Sequence, residues 1–207
     1  YRTADKIIAI SKFTRDEILK KVPGLAIDVI NHGVDYEKFS ARNLADENSR
    51  RGRAGANINE FQMESAKGIR NFQAQGFGRY SPYILSVGSL RWRKGYHRSI
   101  PAFAEVSKIF PNLKYVIIGK RYKDDYYNRL KLAVRDLKLD GKIVILDNID
   151  DESEIIKLYK NAELFCLMSQ TAGHDLEGFG IVFLEAAAAG LPVVGTSDSG
   201  TEDAVSD

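Results

Sequence analysis

The chain has 207 residues, of which 44% are hydrophobic and 28% are charged, and its formal net charge is +2. These proportions are typical of a globular protein and exclude collagen, disordered tails and small disulfide-rich scaffolds. A balance this close to neutral does not support nucleic acid as a partner, and no run approaches the ~20 apolar residues of a membrane span.

The first 35 residues predict one β-α-β unit. Lys6–Ile10 and Ile27–Ile30 are short β-branched runs typical of strands, and Ser11–Val22 has the apolar spacing of a helix. Thr14 and Glu17, three residues apart, predict a capping box at the start of that helix. A unit this short cannot bury a sufficient core by itself.

The stretch from Ser40 to Ser81 lacks a sustained apolar period and is rich in glycine, asparagine, glutamine and arginine. We predict a long surface insertion with one short helix near Ile58–Lys67, and we expect it to separate two domains or decorate one. Its basic cluster, Ser49–Arg53, is either a solvated face or a contact for anionic lipid or a phosphate-bearing acceptor.

From residue 83 onward, short apolar runs alternate with helical patterns. This alternation predicts a doubly wound α/β domain, a parallel sheet whose ligands bind beyond the carboxyl ends of the strands. The predicted strands are Tyr83–Val87, Leu113–Ile118, Lys142–Leu146, Leu164–Met168 and Pro192–Gly195, and the predicted helices are Tyr96–Phe110, Asp125–Leu137, Glu152–Lys160 and Gly180–Ala189. Residues 201–207 predict the start of a further helix.

The loop after the first of these strands, Gly88–Gly95, places Arg91, Arg93 and Lys94 just before a helix. A helix N-terminus attracts phosphate, and neighbouring cations strengthen that attraction. The alternative is a solvated basic loop. Trp92 either stacks on a ligand or covers the loop.

A second loop carries Glu177 and Glu185 on either side of a strand-to-helix turn that contains Gly178 and Gly180. The glycines let the backbone approach a ligand closely, and both carboxylates could accept hydrogen bonds from the hydroxyls of one extended molecule. A helix-capping charge is the alternative for either glutamate alone. The small polar residues of Gly195–Glu202 predict a further pocket wall rich in backbone N–H groups.

The aspartate pairs and the single cysteine are interpreted as structural residues. The pairs Asp124-Asp125 and Asp150-Asp151 are interpreted as helix caps, and without an Asp-x-Asp motif we predict no metal site. Cys166 lies in an apolar run, so we predict that its thiol is buried in the core. We also expect a reducing compartment.

The three histidines differ in their surroundings. His32 lies in a predicted turn, and we predict a structural role for it. His97 either touches phosphate or faces solvent, and His174 either contacts sugar or acceptor or lies in a surface loop.

Taken together, these motifs resemble the nucleotide-sugar-binding half of group 1 (family 4) retaining glycosyltransferases, which have the GT-B architecture of two facing Rossmann-like domains. The motifs that carry the resemblance are Gly88…Lys94-Gly95, Glu177-Gly178-Phe179-Gly180…Glu185-Ala186 and Gly190-Leu191-Pro192-Val193-Val194. Ala4-Asp5…Ser11 and Asn31-His32-Gly33-Val34-Asp35…Phe39 resemble the stretch where the first domain of that family ends.

The resemblance implies a division into three parts. Residues 1–35 would end an N-terminal, acceptor-side domain, residues 36–80 would form a linker and insertion, and residues 81–207 would form a donor-binding domain cut at its C-terminus. We therefore expect a fragment of a two-domain protein that binds donor but transfers poorly alone.

Site roles are also implied by position. Glu177 would hold hydroxyls of the donor sugar, Glu185 the ribose diol, and Lys94 the diphosphate leaving group, assisted by Thr201. The catalytic residues would be Lys94 and Glu177, and the donor-binding residues Gly88, Ser89, Arg91, Arg93, Gly178, Phe179, Gly180, Ile181, Glu185 and Thr201. The family usually has arginine where this chain has Ser89, so Arg91 or Arg93 is the candidate for the second cation.

The implied activity is that of a metal-independent hexosyltransferase. It would move a mannosyl or glucosyl group from a nucleotide diphosphate sugar, its donor substrate, to a glycan or lipid-linked acceptor without a cofactor. The alternative, which Ser89 keeps open, is a non-catalytic nucleotide-sugar sensor of the same fold. We expect a cytoplasmic protein, at the inner face of the membrane if the missing domain makes a peripheral contact there.

Overall fold

The computed structural model describes residues 4–40, 82–171, 175–197 and 199–205. The predicted insertion from residue 41 onward, with its helix near Ile58–Lys67 and its basic cluster Ser49–Arg53, lies outside these ranges. His174 lies outside them as well.

The N-terminal residues form the predicted β-α-β unit. Strands β1 (Ile7–Ala9) and β2 (Ile27–Val29) pair in parallel, and helix α1 (Lys12–Lys21) connects them. The predicted Thr14–Glu17 capping box is wrong. Ser11 caps α1 instead, and its side chain accepts a hydrogen bond of 2.9 Å from the Thr14 N–H, whereas Glu17 pairs with Lys20.

A short helix, α2 (Tyr36–Ser40), follows this unit. The Asp35 carboxylate accepts a hydrogen bond of 3.1 Å from the Lys38 N–H near its start. Phe39 is buried, and its ring meets that of Tyr159 edge to face, with 5.8 Å between centroids. Five residues are too few to show a helical period, so the sequence pattern did not predict α2.

Within the described residues, five parallel strands form the second sheet, in the order β5-β4-β3-β6-β7. These strands are β3 (Tyr83–Val87), β4 (Lys114–Ile118), β5 (Ile143–Leu146), β6 (Leu164–Cys166) and β7 (Val193–Val194). The predicted doubly wound fold is confirmed. The chain winds outward from β3 through β4 to β5 and then returns to β6 on the other side of β3. The direction of winding thus reverses between β3 and β6, which is where doubly wound folds bind their ligands.

Helices connect these strands close to the predicted boundaries: α3 (Tyr96–Ile109), α4 (Asp124–Asp136), α5 (Glu152–Asn161) and α6 (Ile181–Ala188). Two short 3-10 helices, Trp92–Lys94 and Gly200–Asp203, complete the described part of the chain. The second stands where the sequence predicted the start of a longer helix.

The two predicted pairs of aspartate caps have different outcomes. Asp151 caps α5 by accepting a hydrogen bond of 2.8 Å from the Ser153 N–H, while Asp150 forms an ion pair with Lys120. The cap prediction is wrong for Asp124 and Asp125, because α4 begins one residue earlier and both aspartates lie in its first turn. There they still oppose the positive end of the helix dipole.

Aromatic and aliphatic side chains fill the space between sheet and helices. Phe165 of β6 packs against Phe183 of α6 and Tyr159 of α5, with ring centroids 5.2 and 5.7 Å apart. Cys166 is half-buried, less than the core thiol that we predicted. Burial raises the pKa of its thiol to about 11.

Two glycines bring the strand ends together. A Cβ on Gly119, directly after β4, would overlap the carbonyl oxygen of Gly88 after β3. Gly95, before α3, has φ +70°, and a Cβ there would overlap the carbonyl oxygen of Met168 after β6. The loops at the carboxyl edge of the sheet therefore approach each other at backbone distance.

Candidate functional site

A cleft of about 540 Å³ opens at the carboxyl edge of the sheet, where the doubly wound fold predicts ligand binding. Small polar residues dominate its wall. The lining residues are Ser169, Gln170 and Thr171 after β6, Gly195, Thr196 and Ser197 after β7, and Arg98 of α3. The loop after β7 that the sequence singled out thus supplies one wall.

Beside this cleft lies a buried ion pair between Lys94 and Glu177. The Lys94 Nζ is 2.5 Å from Oε2 of Glu177, and both residues are less than a tenth exposed. The same oxygen accepts hydrogen bonds from Arg93 Nη1 at 2.7 Å and from Ser169 Oγ at 3.1 Å. Ser169 therefore contacts the ion pair and also lines the cleft.

Glu177 is ionised in this arrangement. Burial raises the pKa of its carboxyl group, but the charges of Lys94 and Arg93 and the hydrogen bonds to Lys94 and Ser169 outweigh burial and hold the pKa below its usual range. Burial lowers the pKa of Lys94, and the charge of Glu177 opposes that effect. The site thus presents a carboxylate beside the amino group of Lys94 and the guanidinium of Arg93, all within hydrogen-bond distance.

The backbone around Lys94 explains why its side chain is buried. The 3-10 helix Trp92–Lys94 turns the chain back, and Gly95 then allows the left-handed conformation that starts α3. The Gln170 N–H donates to the Arg93 carbonyl over 2.7 Å, which ties this loop to the one after β6. Lys94 consequently points into the molecule rather than into solvent.

Of the two candidates for the second cation, the structure places Arg93 at Glu177 and Arg91 elsewhere. Arg93 also pairs with Asp175, with 3.0 Å between Nε and Oδ1. The Arg91 guanidinium instead lies over the ring of Tyr122, 3.6 Å from its centroid. Arg91 is thus held by stacking on the loop after β4.

The turn that follows Glu177 packs tightly against its neighbours. Gly180 has φ +80° and begins α6, which explains why glycine stands there. Phe179 is buried and meets the edge of the His32 ring, with 5.7 Å between centroids, in agreement with a structural role for His32. Ile181, the first residue of α6, is 41% exposed.

Glu185 has a partner of its own. Its Oε2 accepts a hydrogen bond of 2.8 Å from the hydroxyl of Tyr159, which is buried in the core. Burial raises the pKa of Glu185, and the Tyr159 hydrogen bond opposes that rise. The two glutamates that the sequence paired therefore interact with different residues, Glu177 with the cations and Glu185 with Tyr159.

The remaining predicted residues surround these groups. The Gly88 carbonyl accepts a hydrogen bond of 2.6 Å from the Tyr96 hydroxyl, and a Cβ on Gly88 would lie 3.3 Å from Cε of Lys94. Ser89 is half-buried, and its carbonyl accepts from the Arg91 N–H. Thr201 is buried, and its hydroxyl donates to the Thr196 carbonyl over 2.9 Å.

His97 is half-buried between Trp92 and Tyr126. Its ring stacks on Trp92, with centroids 3.9 Å apart and planes 17° apart, and Nδ1 lies 3.2 Å from the Tyr126 hydroxyl. Burial lowers the pKa of His97. Trp92, which stacks on this ring, is half exposed.

Sequence reasoning missed Ser169 and Tyr159, the neutral partners of the two glutamates. Ser169 follows a predicted strand, and its position at a strand end was the available signal. Tyr159 lies on the apolar face of a helix, where its pattern indicates only core packing. Its hydroxyl becomes significant once α5 and α6 are placed side by side.

Two absences concern the described ranges only. No group of three or more His, Cys, Asp or Glu side chains among them is arranged to hold a metal ion. None of the helices there combines the length and apolarity that crossing a membrane requires.

Comparison with known proteins places the chain in a family. Residues 69–207 match the family model for glycosyl transferases group 1. The chain is 28% identical to the GDP-mannose-dependent alpha-(1-6)-phosphatidylinositol monomannoside mannosyltransferase of Mycolicibacterium smegmatis, over 99% of this chain and 47% of the relative. It is 30% identical to the mannosylfructose-phosphate synthase of Agrobacterium fabrum, over 100% of this chain and 40% of the relative.

A solved structure shows the same fold. The HepE protein of Anabaena, crystallised in complex with UDP and glucose, has a TM-score of 0.70 at 22% identity, over 100% of this chain and 48% of that one. The chain thus spans about half the length of the proteins it matches or somewhat less. Because the family model covers more than half of these residues, the chain belongs to the glycosyl transferases group 1 family.

Proposed function

We propose that the protein is a retaining hexosyltransferase and that this chain supplies its nucleotide-sugar site. The observation that carries the proposal is the buried cluster of Lys94, Arg93 and Glu177 beside a polar cleft at the carboxyl edge of the sheet. The family supports the transferase activity. The donor is a nucleotide diphosphate hexose, mannosyl or glucosyl, and the acceptor is a glycan or a lipid-linked glycan.

The charges of the cluster suit both ends of such a donor. The charges of the two cations and of Glu177 compensate one another, which keeps a buried carboxylate ionised. A bound donor offers replacements for both, because sugar hydroxyls can donate to Glu177 while diphosphate oxygens accept from Lys94 and Arg93. Binding of the donor therefore replaces hydrogen bonds within the cluster with equivalent hydrogen bonds between the cluster and the donor.

The same cations assist the reaction. Cleavage of the sugar–phosphate bond places negative charge on the departing β-phosphate, while the anomeric carbon gains oxocarbenium character. A preorganised donor at that position contributes about 3–4 kcal/mol to transition-state stabilisation. Because Lys94 and Arg93 can supply this charge, we propose that the reaction needs no metal ion.

Calorimetric titration of the complete natural protein with GDP-mannose, UDP-glucose and the two free nucleoside diphosphates tests this proposal. We expect one nucleotide to bind, and its sugar conjugate to bind more tightly. Glu177→Gln should reduce the advantage in affinity of the sugar conjugate over the free diphosphate by about tenfold, the effect of one charge-assisted hydrogen bond of ~1.5 kcal/mol. Lys94→Ala should weaken both and abolish transfer.

Lys108→Ala serves as the control, since Lys108 is exposed and pairs only with the nearby Glu105 among its described contacts. Absence of binding to every nucleotide at millimolar concentration would contradict the proposal. Binding without glycosyl transfer or donor hydrolysis would favour a nucleotide-sugar sensor instead.

A further inference from the structure

The β-α-β unit contacts the turn that carries Glu177. The contact is made by Ser11 and Thr14, at the start of α1. Ser11 is fully buried, and its hydroxyl donates to Oγ1 of Thr14 over 2.8 Å. The Thr14 hydroxyl in turn donates to the carbonyl oxygen of Gly178 over 3.2 Å. A short relay of hydroxyl groups thus runs from the N-terminal unit to the residue after Glu177.

The turn is held from its other side by the 3-10 helix Gly200–Asp203. The Gly200 N–H donates to the Glu177 carbonyl over 2.9 Å, and a Cβ on Gly200 would overlap the Gly178 carbonyl. On the α1 side, a Cβ on Gly178 would lie only 2.9 Å from Cδ1 of Ile10. The backbone at Glu177 and Gly178 therefore has little room to move between α1 and the 3-10 helix.

Further contacts fasten the same two neighbours to each other. The Lys12 N–H at the start of α1 donates to Oδ2 of Asp203 over 2.5 Å, and Nδ2 of Asn31 lies 3.4 Å from that oxygen. The ring of His32 packs on Phe179, within the turn itself. The β-α-β unit, the 3-10 helix and the Glu177 turn thus form one connected patch.

From these contacts we infer that Thr14 is a positioning residue for Glu177. Its hydroxyl sets the path of the backbone that presents this carboxylate, so binding of the donor sugar depends on how the N-terminal unit is seated against the sheet domain. The inference rests on the proposed function, because it takes Glu177 as the group that binds the sugar. Thr14 itself touches neither donor nor reacting atoms in this account.

Thr14→Val and Thr14→Ser in the complete natural protein test the inference. Valine preserves the shape of threonine without the hydroxyl, whereas serine retains the hydroxyl. We expect Thr14→Val to weaken binding of the nucleotide sugar roughly three- to tenfold, the range for one neutral hydrogen bond, and to leave binding of the free nucleoside diphosphate unchanged. Thr14→Ser should restore most of the loss, and Lys20→Ala, exposed on the same helix, should cause none.

The outcomes separate the inference from the proposed function. If Thr14→Val binds the nucleotide sugar normally while Glu177→Gln loses the sugar-dependent affinity, the positioning role is wrong and the function stands. If Glu177→Gln also retains that affinity, the proposed function fails. An equal loss for nucleotide and nucleotide sugar would show a merely structural role. Should Thr14→Val not fold, Ser11→Ala interrupts the relay one step earlier, and it must show the same sugar-selective loss.

Discussion

Glu177 and Glu185 differ in the way each carboxylate is kept in place. Glu177 is surrounded by Lys94, Arg93 and Ser169, so its charge is compensated inside the protein. Glu185 has a single neutral donor among its described hydrogen bonds, Tyr159, and burial raises its pKa. We therefore expect pH to act on the site through Glu185, whereas Glu177 stays ionised.

The sign of that pH effect follows from the direction of the shift. A raised pKa means that the folded protein holds the Glu185 proton more tightly than the unfolded chain does. This residue's contribution to the unfolding free energy is therefore fully present below the usual glutamate pKa and is lost as pH rises through the raised value. Binding of a ribose diol has the opposite dependence, since it requires the carboxylate to be ionised.

Tyr159→Phe tests the role proposed for Glu185. The Tyr159 hydrogen bond lowers the pKa of Glu185, so its removal should raise that pKa further. The midpoint of nucleotide binding should shift to higher pH, with the variant and the unmodified protein converging in alkaline solution. Calorimetric titrations at a series of pH values measure this, with Tyr127→Phe on helix α4 as the control. An unchanged midpoint would show that Glu185 does not bind the nucleotide.

At the scale of secondary structure, the close approach of the loops after β3 and β6 places Lys94. This approach depends on Gly95, which combines a left-handed backbone with contact to the Met168 carbonyl. Helix α3 starts immediately afterwards, at Tyr96, so a displacement at Gly95 would move both the helix and the cation before it.

Gly95→Ala should therefore reduce the unfolding free energy by about 2–4 kcal/mol, because strain and overlap with the backbone act together. Gly24→Ala is a matched control. Gly24 has φ +83°, but among the described residues no atom lies within 4 Å of the position of its Cβ. That variant should lose only the ~1–2 kcal/mol of left-handed strain. Equal losses in denaturant unfolding would show that the approach to Met168 is unimportant.

Helices and strands were predictable from the sequence where they contain enough residues to show an apolar run or a period. Tyr83–Val87 was predicted to the residue because an apolar run in a parallel sheet is buried on both faces. Helix α2 and the 3-10 helix Trp92–Lys94 were not, since a few residues show no period. Lys94 and Glu177 were singled out by their positions in loops beside predicted strands and helices, and the motif resemblance implied their roles. The burial of Lys94 and its ion pair depend on three loops that are distant in sequence, which no local pattern describes.

At the scale of the whole molecule, residues 4–40 contact the domain of the five-stranded sheet in two places. The β-α-β unit contacts the Glu177 turn, and Phe39 of α2 packs against the core. The ring of Phe39 packs on Tyr159, whose hydroxyl binds Glu185. Each glutamate is thus connected through one intermediate to residues that precede the sheet domain. We expect donor binding to depend on residues 4–40 although the proposed donor site lies after residue 82.

The lengths of the relatives lead to a prediction about activity. We predict that these 207 residues alone bind the nucleotide sugar with an affinity close to that of the complete natural protein but transfer the sugar poorly, because we place the acceptor side outside the donor domain. Parallel calorimetry and transfer assays on both proteins measure this. Full transfer activity from the 207 residues would contradict the division into donor and acceptor parts.

The low reactivity expected of Cys166 has a practical consequence for experiments on the N-terminal unit. It is the single cysteine in these 207 residues, and a thiol with a pKa of about 11 carries almost no thiolate at neutral pH. Maleimide reagents will thus react slowly with it. A new cysteine on an exposed position of α1, such as Lys20, can be labelled selectively with a fluorophore, so the seating of the N-terminal unit can be observed in solution without first removing the native thiol.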